Sequence, residues 1–354
     1  MRARLRAWLS KQLPPGADPE VSEVSAPSGT GLSSETLLFD ARWRESGRDE
    51  GGSFVARMSP DMTRHPVFPS YDLELQWRCL ELVRRHSRVP VPRTRWFERD
   101  ASALGSAFFV MERVAGRVPP DMPPYVFGSW LSEASPAERA ALERNSVEVL
   151  AGLHAIDVSG PDAAFLDRPR HGRTPLDQHL GYQREYYDWA RGGDRYPTLE
   201  RVFEWLAQRR PADEGPVCLN WGDARIGNIL YRGVTPVAVL DWEMAALGAP
   251  EVDLAWMLFM HEFFRALAES AKQPGIPDFM QRERIAGLYE ELSGRPVREL
   301  AYYEVFAALR YAIVSIRTTG RAIALGQMPP AAALEDRLMI RPHLERMLSG
   351  EYWS

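Results

Sequence analysis

Two kinds of hydrophobic pattern divide the chain. In the first third, short apolar runs alternate with turn-forming residues. Residues 37–39, 51–58 and 107–114 are β-prone runs bounded by Gly, Ser or Pro, and they predict strands, with 21–26 as a candidate first strand. One helical pattern interrupts them: in 71–86, Leu73, Trp77, Leu80, Leu82 and Val83 fall near helical spacing. The start, MRARLRAWLSKQL, is basic and amphipathic and stops at Pro14-Pro15-Gly16. It predicts a short surface helix capping the first lobe, since it lacks the apolar core of a signal peptide.

The remainder is mostly helical in pattern. Ser135-Pro136-Ala137-Glu138 carries a capping signature, and the apolar spacing then runs to Asp157. Further helices are predicted at 176–189, 199–207, 251–269, 276–292, 297–318 and 330–348. The exception is 229–240. There Ile229-Leu230-Tyr231 and Val237 to Leu240 flank Arg232-Gly233-Val234-Thr235 and predict a β-hairpin.

Composition narrows the function classes. With 354 residues the chain is long enough for two lobes and a large core, and its 45% hydrophobic and 26% charged residues are ordinary for a globular protein. A formal net charge of −5 argues against nucleic acid as the main partner. Cys79 and Cys218 sit among apolar neighbours, which predicts reduced core residues of a cytoplasmic protein. No apolar run is long enough to span a membrane, so no membrane partner is expected.

The chemistry concentrates in 220–256, NWGDARIGNILYRGVTPVAVLDWEMAALGAPEVDLAW. The hairpin would hold Asn228 at the start of one strand and Asp241 at the end of the other. A carboxylate and an amide oxygen held together suit Mg²⁺, which takes few protein ligands and fills its shell from substrate phosphates. Asp223 lies in the loop before the hairpin, where it can face an incoming hydroxyl. A His-rich ligand cluster, as a metal-dependent hydrolase would need, is missing from the sequence.

W-G-D-x-x-x-x-N followed by a strand and L-D-W-E resembles the catalytic core of the aminoglycoside phosphotransferase and choline kinase group. The resemblance implies an α+β, bilobal protein-kinase-like fold, with a small antiparallel-sheet N-lobe and a mostly helical C-lobe. It implies three segments: a leader helix in 1–20, a nucleotide-binding N-lobe in 21–114, and a C-lobe in 115–354 carrying the catalytic loop and acceptor helices. It also implies ATP and Mg²⁺ as cofactors and a small-molecule hydroxyl as acceptor. By the same resemblance Asp223 is the catalytic base, Asn228 and Asp241 bind the metal, and Asp253 braces the loop. Trp221 departs from the family, which usually has His there. Loop packing is therefore expected to change while phosphoryl transfer survives.

Other stretches extend the likeness. Residues 28–36, SGTGLSSET, resemble the family's nucleotide loop, so Gly31, Ser33 and Ser34 are expected at the phosphates. Val55-Ala56-Arg57 takes the place of the strand that ends on the phosphate-binding cation. On the following helix the kinase Glu position falls on Gln76, with Glu74 nearby. Met111, Glu112 and Val114 take the hinge position, where main-chain groups would hold adenine. Glu243, His261, Glu262, Tyr302 and Glu304 are candidates for the acceptor pocket. His154 reads as a packed histidine, since no partner completes a catalytic triad around it. The alternative to an active kinase is a catalytically idle nucleotide-binding regulator of the same fold.

Overall fold

The computed structural model describes residues 1–26 and 35–354. Gly31, Ser33 and Ser34, expected at the phosphates, lie outside the described residues.

Helix α1 (Arg2–Gln12) opens the chain, and five strands follow: β1 (Glu20–Val21), β2 (Glu35–Glu45), β3 (Arg48–Met58), β4 (Thr94–Glu98) and β5 (Phe108–Glu112). They form one antiparallel sheet in the order β1-β2-β3-β5-β4. Helix α2 (Leu73–His86) lies between β3 and β4 in the chain. The predicted strand at 37–39 is the centre of a longer one. Phe39, Ala41 and Trp43 are buried while Asp40, Arg42 and Arg44 are exposed, so the run extends by alternation beyond its apolar stretch.

That alternation gives the sheet two roles. Phe39, Ala41, Trp43, Phe54, Ala56, Phe108 and Val110 face Leu5, Trp8 and Leu9 of α1 in one apolar cluster. The Trp8 ring meets Phe108 edge-on at 4.7 Å. Each such buried aromatic contributes roughly 2–3 kcal/mol. The leader is therefore a lid on this sheet, and its apolar stripe is buried. The alternate residues Val55, Arg57, Phe109 and Met111 face a cleft instead.

The rest is helical: α3 (Pro136–His154), α4 (Pro175–Ala190), α5 (Pro197–Gln208), α6 (Glu251–Ser270), α7 (Arg282–Ser293), α8 (Leu300–Ala324) and α9 (Arg341–Ser349). The capping box expected at Ser135 is present, with Ser135 and Glu138 bonding reciprocally. Three predicted helices change their bounds, and the one expected at 297–318 runs from Leu300 to Ala324. The helix expected at 276–292 begins at Arg282, because Met280 takes a left-handed φ of 51° that ends any earlier helical path. The helix expected at 330–348 divides into a short 3₁₀ turn, Leu334–Arg337, and α9, which starts just before Pro342. Among the described residues, no helix is long and apolar enough to cross a membrane.

Candidate active site

Two small sheets set the geometry. Strand β6 (Cys218–Asn220) pairs antiparallel with β9 (Ala246–Gly248), which fastens both ends of the segment between them. Inside that segment, β7 (Ile229–Arg232) and β8 (Thr235–Val239) form the predicted hairpin, closing at Arg232↔Thr235. The hairpin is tied to the segment after β5 by Arg117 N–H to Tyr231 O at 3.0 Å and Tyr231 N–H to Arg117 O at 2.8 Å. Leu240 N–H donates to Asn228 O at 2.9 Å, so the residue before Asp241 is bonded to Asn228 directly.

The hairpin thus holds Asn228 at its start and Asp241 just past its end, and Asn228 ties the preceding loop residue Asp223 to it. Asn228 Nδ2 donates to Asp223 Oδ2 at 2.6 Å. With its nitrogen committed there, the amide oxygen of Asn228 is the atom available to a cation. The Arg225 Nε–H reaches both Asp223 oxygens at 3.1 Å, and Trp256 Nε1–H donates to Oδ1 at 2.8 Å. Arg225 also pairs with Asp121. Burial works against the Arg225 charge, but the Asp223 and Asp121 carboxylates outweigh it and raise its pKa.

Arg57 closes the site from the sheet side. Its Nη2 lies 2.6 Å from Asp241 Oδ1 and 3.5 Å from Glu243 Oε2, and its Nε–H donates to Gln76 Oε1 at 3.0 Å. Burial opposes its charge, yet Asp241, Glu243 and Asp223 together raise its pKa. The helix partner of the strand cation is therefore Gln76, whereas Glu74 pairs outward with Arg99 at 2.9 Å. Asp241 itself takes a left-handed φ of 64°, a conformation that non-glycine residues hold only under constraint.

Trp221 supplies part of that constraint. Its indole Nε1–H donates to the carbonyls of Leu240 at 2.8 Å and Asp241 at 3.2 Å. A buried Trp at the family's His position thus props the Asp241 backbone. Asp253 holds the other side of the loop: it accepts Trp221 N–H at 2.6 Å and Gly222 N–H at 2.8 Å, and faces His154 Nε2 at 3.2 Å. His154 Nδ1 meets the Tyr289 hydroxyl at 2.8 Å, so this histidine is buried and fully engaged. Gly222 has φ +92°, and a Cβ there would stand 2.1 Å from Met244 O, so no side chain fits.

Between sheet and hairpin lies a cleft of about 770 Å³ lined by Val55, Arg57, Gln76, Met111, Glu112, Val114, Leu240 and Asp241. The three hinge residues expected from the sequence line it together with Arg57 and Asp241. The acceptor candidates scatter. Glu243 stands beside Arg57. His261 is buried on the other flank of the loop, its Nδ1 2.8 Å from the Tyr125 hydroxyl, in a small cavity shared with Asp121 and Arg225. Glu262 pairs with Arg265 on its own helix at 2.6 Å. Tyr302 stacks on Trp205, and Glu304 binds Arg282 at 3.0 Å and Trp353 at 2.6 Å, so both hold helices together rather than flank the loop.

A metal fits this donor set only in part-protein form. Among the described residues no group of three or more His, Cys, Asp or Glu could hold an ion alone. An amide oxygen plus one carboxylate matches an ion that keeps water and phosphate oxygens as its other ligands.

Sequence reasoning missed Asp121, Arg225, Trp256 and Arg310. Arg225 lies two residues after Asp223 in the motif itself. Arg310 is the cation in the apolar run FAALRYAIVSI, a signal of a buried and purposeful charge.

A family model described as the phosphotransferase enzyme family matches residues 37–312. Sequence relatives include acyl-CoA dehydrogenase family member 11 of Rattus norvegicus, 32% identical over 266 residues that make up 74% of this chain and 31% of the relative. The Homo sapiens relative of the same name is 28% identical over 71% of this chain and 30% of its own length. This chain spans about a third of the length of these curated relatives. Among solved structures, a protein described as a candidate aminoglycoside phosphotransferase from Ralstonia eutropha superposes with a TM-score of 0.66 at 24% identity, covering 98% of this chain and 97% of its own. An aminoglycoside phosphotransferase in ternary complex with ADP and hygromycin B gives 0.58 at 16% identity, over 98% of both chains. A macrolide 2′-phosphotransferase from Brachybacterium faecium gives 0.56 at 20% identity, over 96% of this chain and 98% of its own. At these identities the likeness establishes the bilobal kinase-like fold, and the family match spans most of the sheet, the hairpin and the first half of α8. The chain belongs to the phosphotransferase enzyme family.

Proposed function

We propose that this protein is an ATP- and Mg²⁺-dependent phosphotransferase that moves the γ-phosphoryl group to a hydroxyl of a small molecule. The observation that carries the reading is that the hairpin ties Asn228, which bonds Asp223, to Leu240 beside Asp241, and that Asp241 lines a cleft together with Arg57, Met111, Glu112 and Val114. In this reading residues 21–114 hold the nucleotide and 115–354 hold the catalytic loop and the acceptor, in a cytoplasmic enzyme. Met111, Glu112 and Val114 border the adenine, and Arg57 leaves Asp241 to hold phosphate oxygens bidentately. Asn228 and Asp241 are the ligands for Mg²⁺, which would offset phosphate charge.

Asp223 accepts the proton of the acceptor hydroxyl as its oxygen bonds to the γ-phosphorus and the bond to the ADP oxygen breaks. Trp256, Asn228 and Arg225 fix the orientation of its carboxylate. Positioning and fixed charge do most of the work in such a reaction.

One observation favours the idle-regulator alternative. Both Asp223 oxygens are engaged by three donors, and Arg57 occupies Asp241. Basal ATP hydrolysis decides between them, because water can replace an unidentified acceptor. Wild type should hydrolyse ATP slowly, and Asp223→Ala should lose roughly 10²-fold or more of that rate while still binding ATP. Equal hydrolysis by both proteins would refute the role of Asp223; ATP binding without hydrolysis in wild type would favour the regulator. An acceptor panel should include hydroxylated acyl-CoA thioesters, because the sequence relatives carry an acyl-CoA dehydrogenase name.

A further inference from the structure

A small cavity lies between α4, the Glu243-Met244 turn and α8, and Glu243 on its wall meets Arg57 of the cleft. Arg310 of α8 borders it and is 2% exposed. One of its nitrogens, Nη2, donates to Gly222 O at 2.8 Å, and its guanidinium lies 4.4 Å over the Trp256 ring. Its Nε and Nη1 have no hydrogen-bond partner among the described residues. A buried cation with two unanswered donors is costly unless something anionic completes it. Trp256 and Gly222 tie that cation to the residues that hold and precede Asp223.

The rest of the lining agrees. Arg168 borders the cavity from the other side; it donates to Ala245 O at 3.0 Å and forms no carboxylate pair among the described residues. His179 is held neutral, since burial and then Arg310 lower its pKa to about 4. Tyr182 and Gln183 add polar groups, and the Gln183 Oε1 is buried with no hydrogen-bond partner among the described residues. That amide can present its nitrogen instead by turning over. The acidic member is Glu243, whose charge Arg57 answers at 3.5 Å. Burial lowers the Arg310 pKa to about 10 against the opposing pull of Asp253 and Asp223, so the guanidinium stays charged at neutral pH.

We propose that the Arg168–Arg310 cavity receives a carboxylate of the acceptor, so that the substrate is a hydroxylated acid rather than a polycationic sugar. The inference rests on the phosphotransferase reading of Asp223. The free space of about 30 Å³ suits a planar carboxylate, which takes roughly the place of two waters, better than a phosphate. Arg310 would donate to one carboxylate oxygen through Nη1, a single charge-assisted bond, since its Nε–H points from the opposite edge of the guanidinium. A polycationic acceptor would meet two arginines.

The test is a calorimetric titration of the full chain with a series of short hydroxy acids of two to six carbons, their neutral amides, and glycerol 3-phosphate. At least one acid should bind 10-fold or more tighter than its amide, and Arg168→Gln should remove most of that preference. Equal or undetectable binding of acids and amides overturns the proposal. Glycerol 3-phosphate binding tighter than every acid overturns the carboxylate assignment. The comparison within wild type stands even if a variant fails to fold. Titration of ATP into the same protein separates the two readings. Acid preference without ATP binding would defeat the phosphotransferase reading alone; ATP binding without acid preference would defeat the carboxylate site alone.

Discussion

Replacing Asp253 with asparagine preserves shape and removes a charge at the point where the loop is held. In the native site Oδ2 accepts Trp221 N–H at 2.6 Å and Oδ1 accepts Gly222 N–H at 2.8 Å, both fully buried. Asparagine has a single acceptor oxygen. Whichever way it sits, its NH₂ opposes one of these two backbone donors. One charge-assisted bond is lost, worth about 1.5–3 kcal/mol, and one buried N–H is orphaned at about 1–3 kcal/mol. The sum is about 2.5–6 kcal/mol, a large part of a typical folding free energy. Arg310 also loses a carboxylate that supports its charge. Urea unfolding followed by far-ultraviolet circular dichroism should show the midpoint falling by about 1–2 M. A shift below about 0.3 M would mean that Asp253 does not brace the loop.

The loop glycine and the buried histidines give further expectations. Gly222→Ala combines a φ of +92° with a Cβ 2.1 Å from Met244 O, so it should lower thermal stability by several degrees and abolish ATP hydrolysis; full activity would contradict the loop geometry. His179 and His261 have pKa values lowered to about 4, in both cases chiefly by burial. Between about pH 6.5 and 4 the unfolded chain binds protons that the folded one refuses, so stability falls as pH drops through that window, by up to ~3 kcal/mol per histidine. Urea midpoints at pH 7 and 4.5 should reveal the slope, and His261→Gln should flatten it; an unchanged slope would show that His261 does not titrate in this way.

The parts legible in the sequence are those that are local. Asn228 and Asp241 could be paired because a hairpin of known span joins them. Arg57 could be placed only through the family resemblance of Val55-Ala56-Arg57 on a predicted strand. Asp253 could be given a bracing role only through the family resemblance, and its two backbone partners bear that role out. What sequence could not show is which face of a helix meets the loop. Trp256 reaches back to Asp223 across 33 residues, and Arg225 finds Asp121 across 104. Those contacts depend on how α6 and the segment after the hinge dock, and no periodicity encodes that. The acceptor candidates divided for the same reason. Tyr302 and Arg310 share one helix eight residues apart, yet Tyr302 stacks on Trp205 of α5 while Arg310 meets Gly222. Gln76 and Glu74, two residues apart on α2, point to opposite sides, and only Gln76 turns to Arg57.

Metal-dependent nucleotide binding at Asp241 is the quantity on which the phosphotransferase reading depends most. Calorimetric titration of ATP into wild type and Asp241→Ala, each with and without Mg²⁺, measures it directly. Wild type should bind ATP more tightly with Mg²⁺ by 10-fold or more, and the Asp241→Ala protein should lose that gain. ATP affinity that ignores both the metal and the substitution would contradict it.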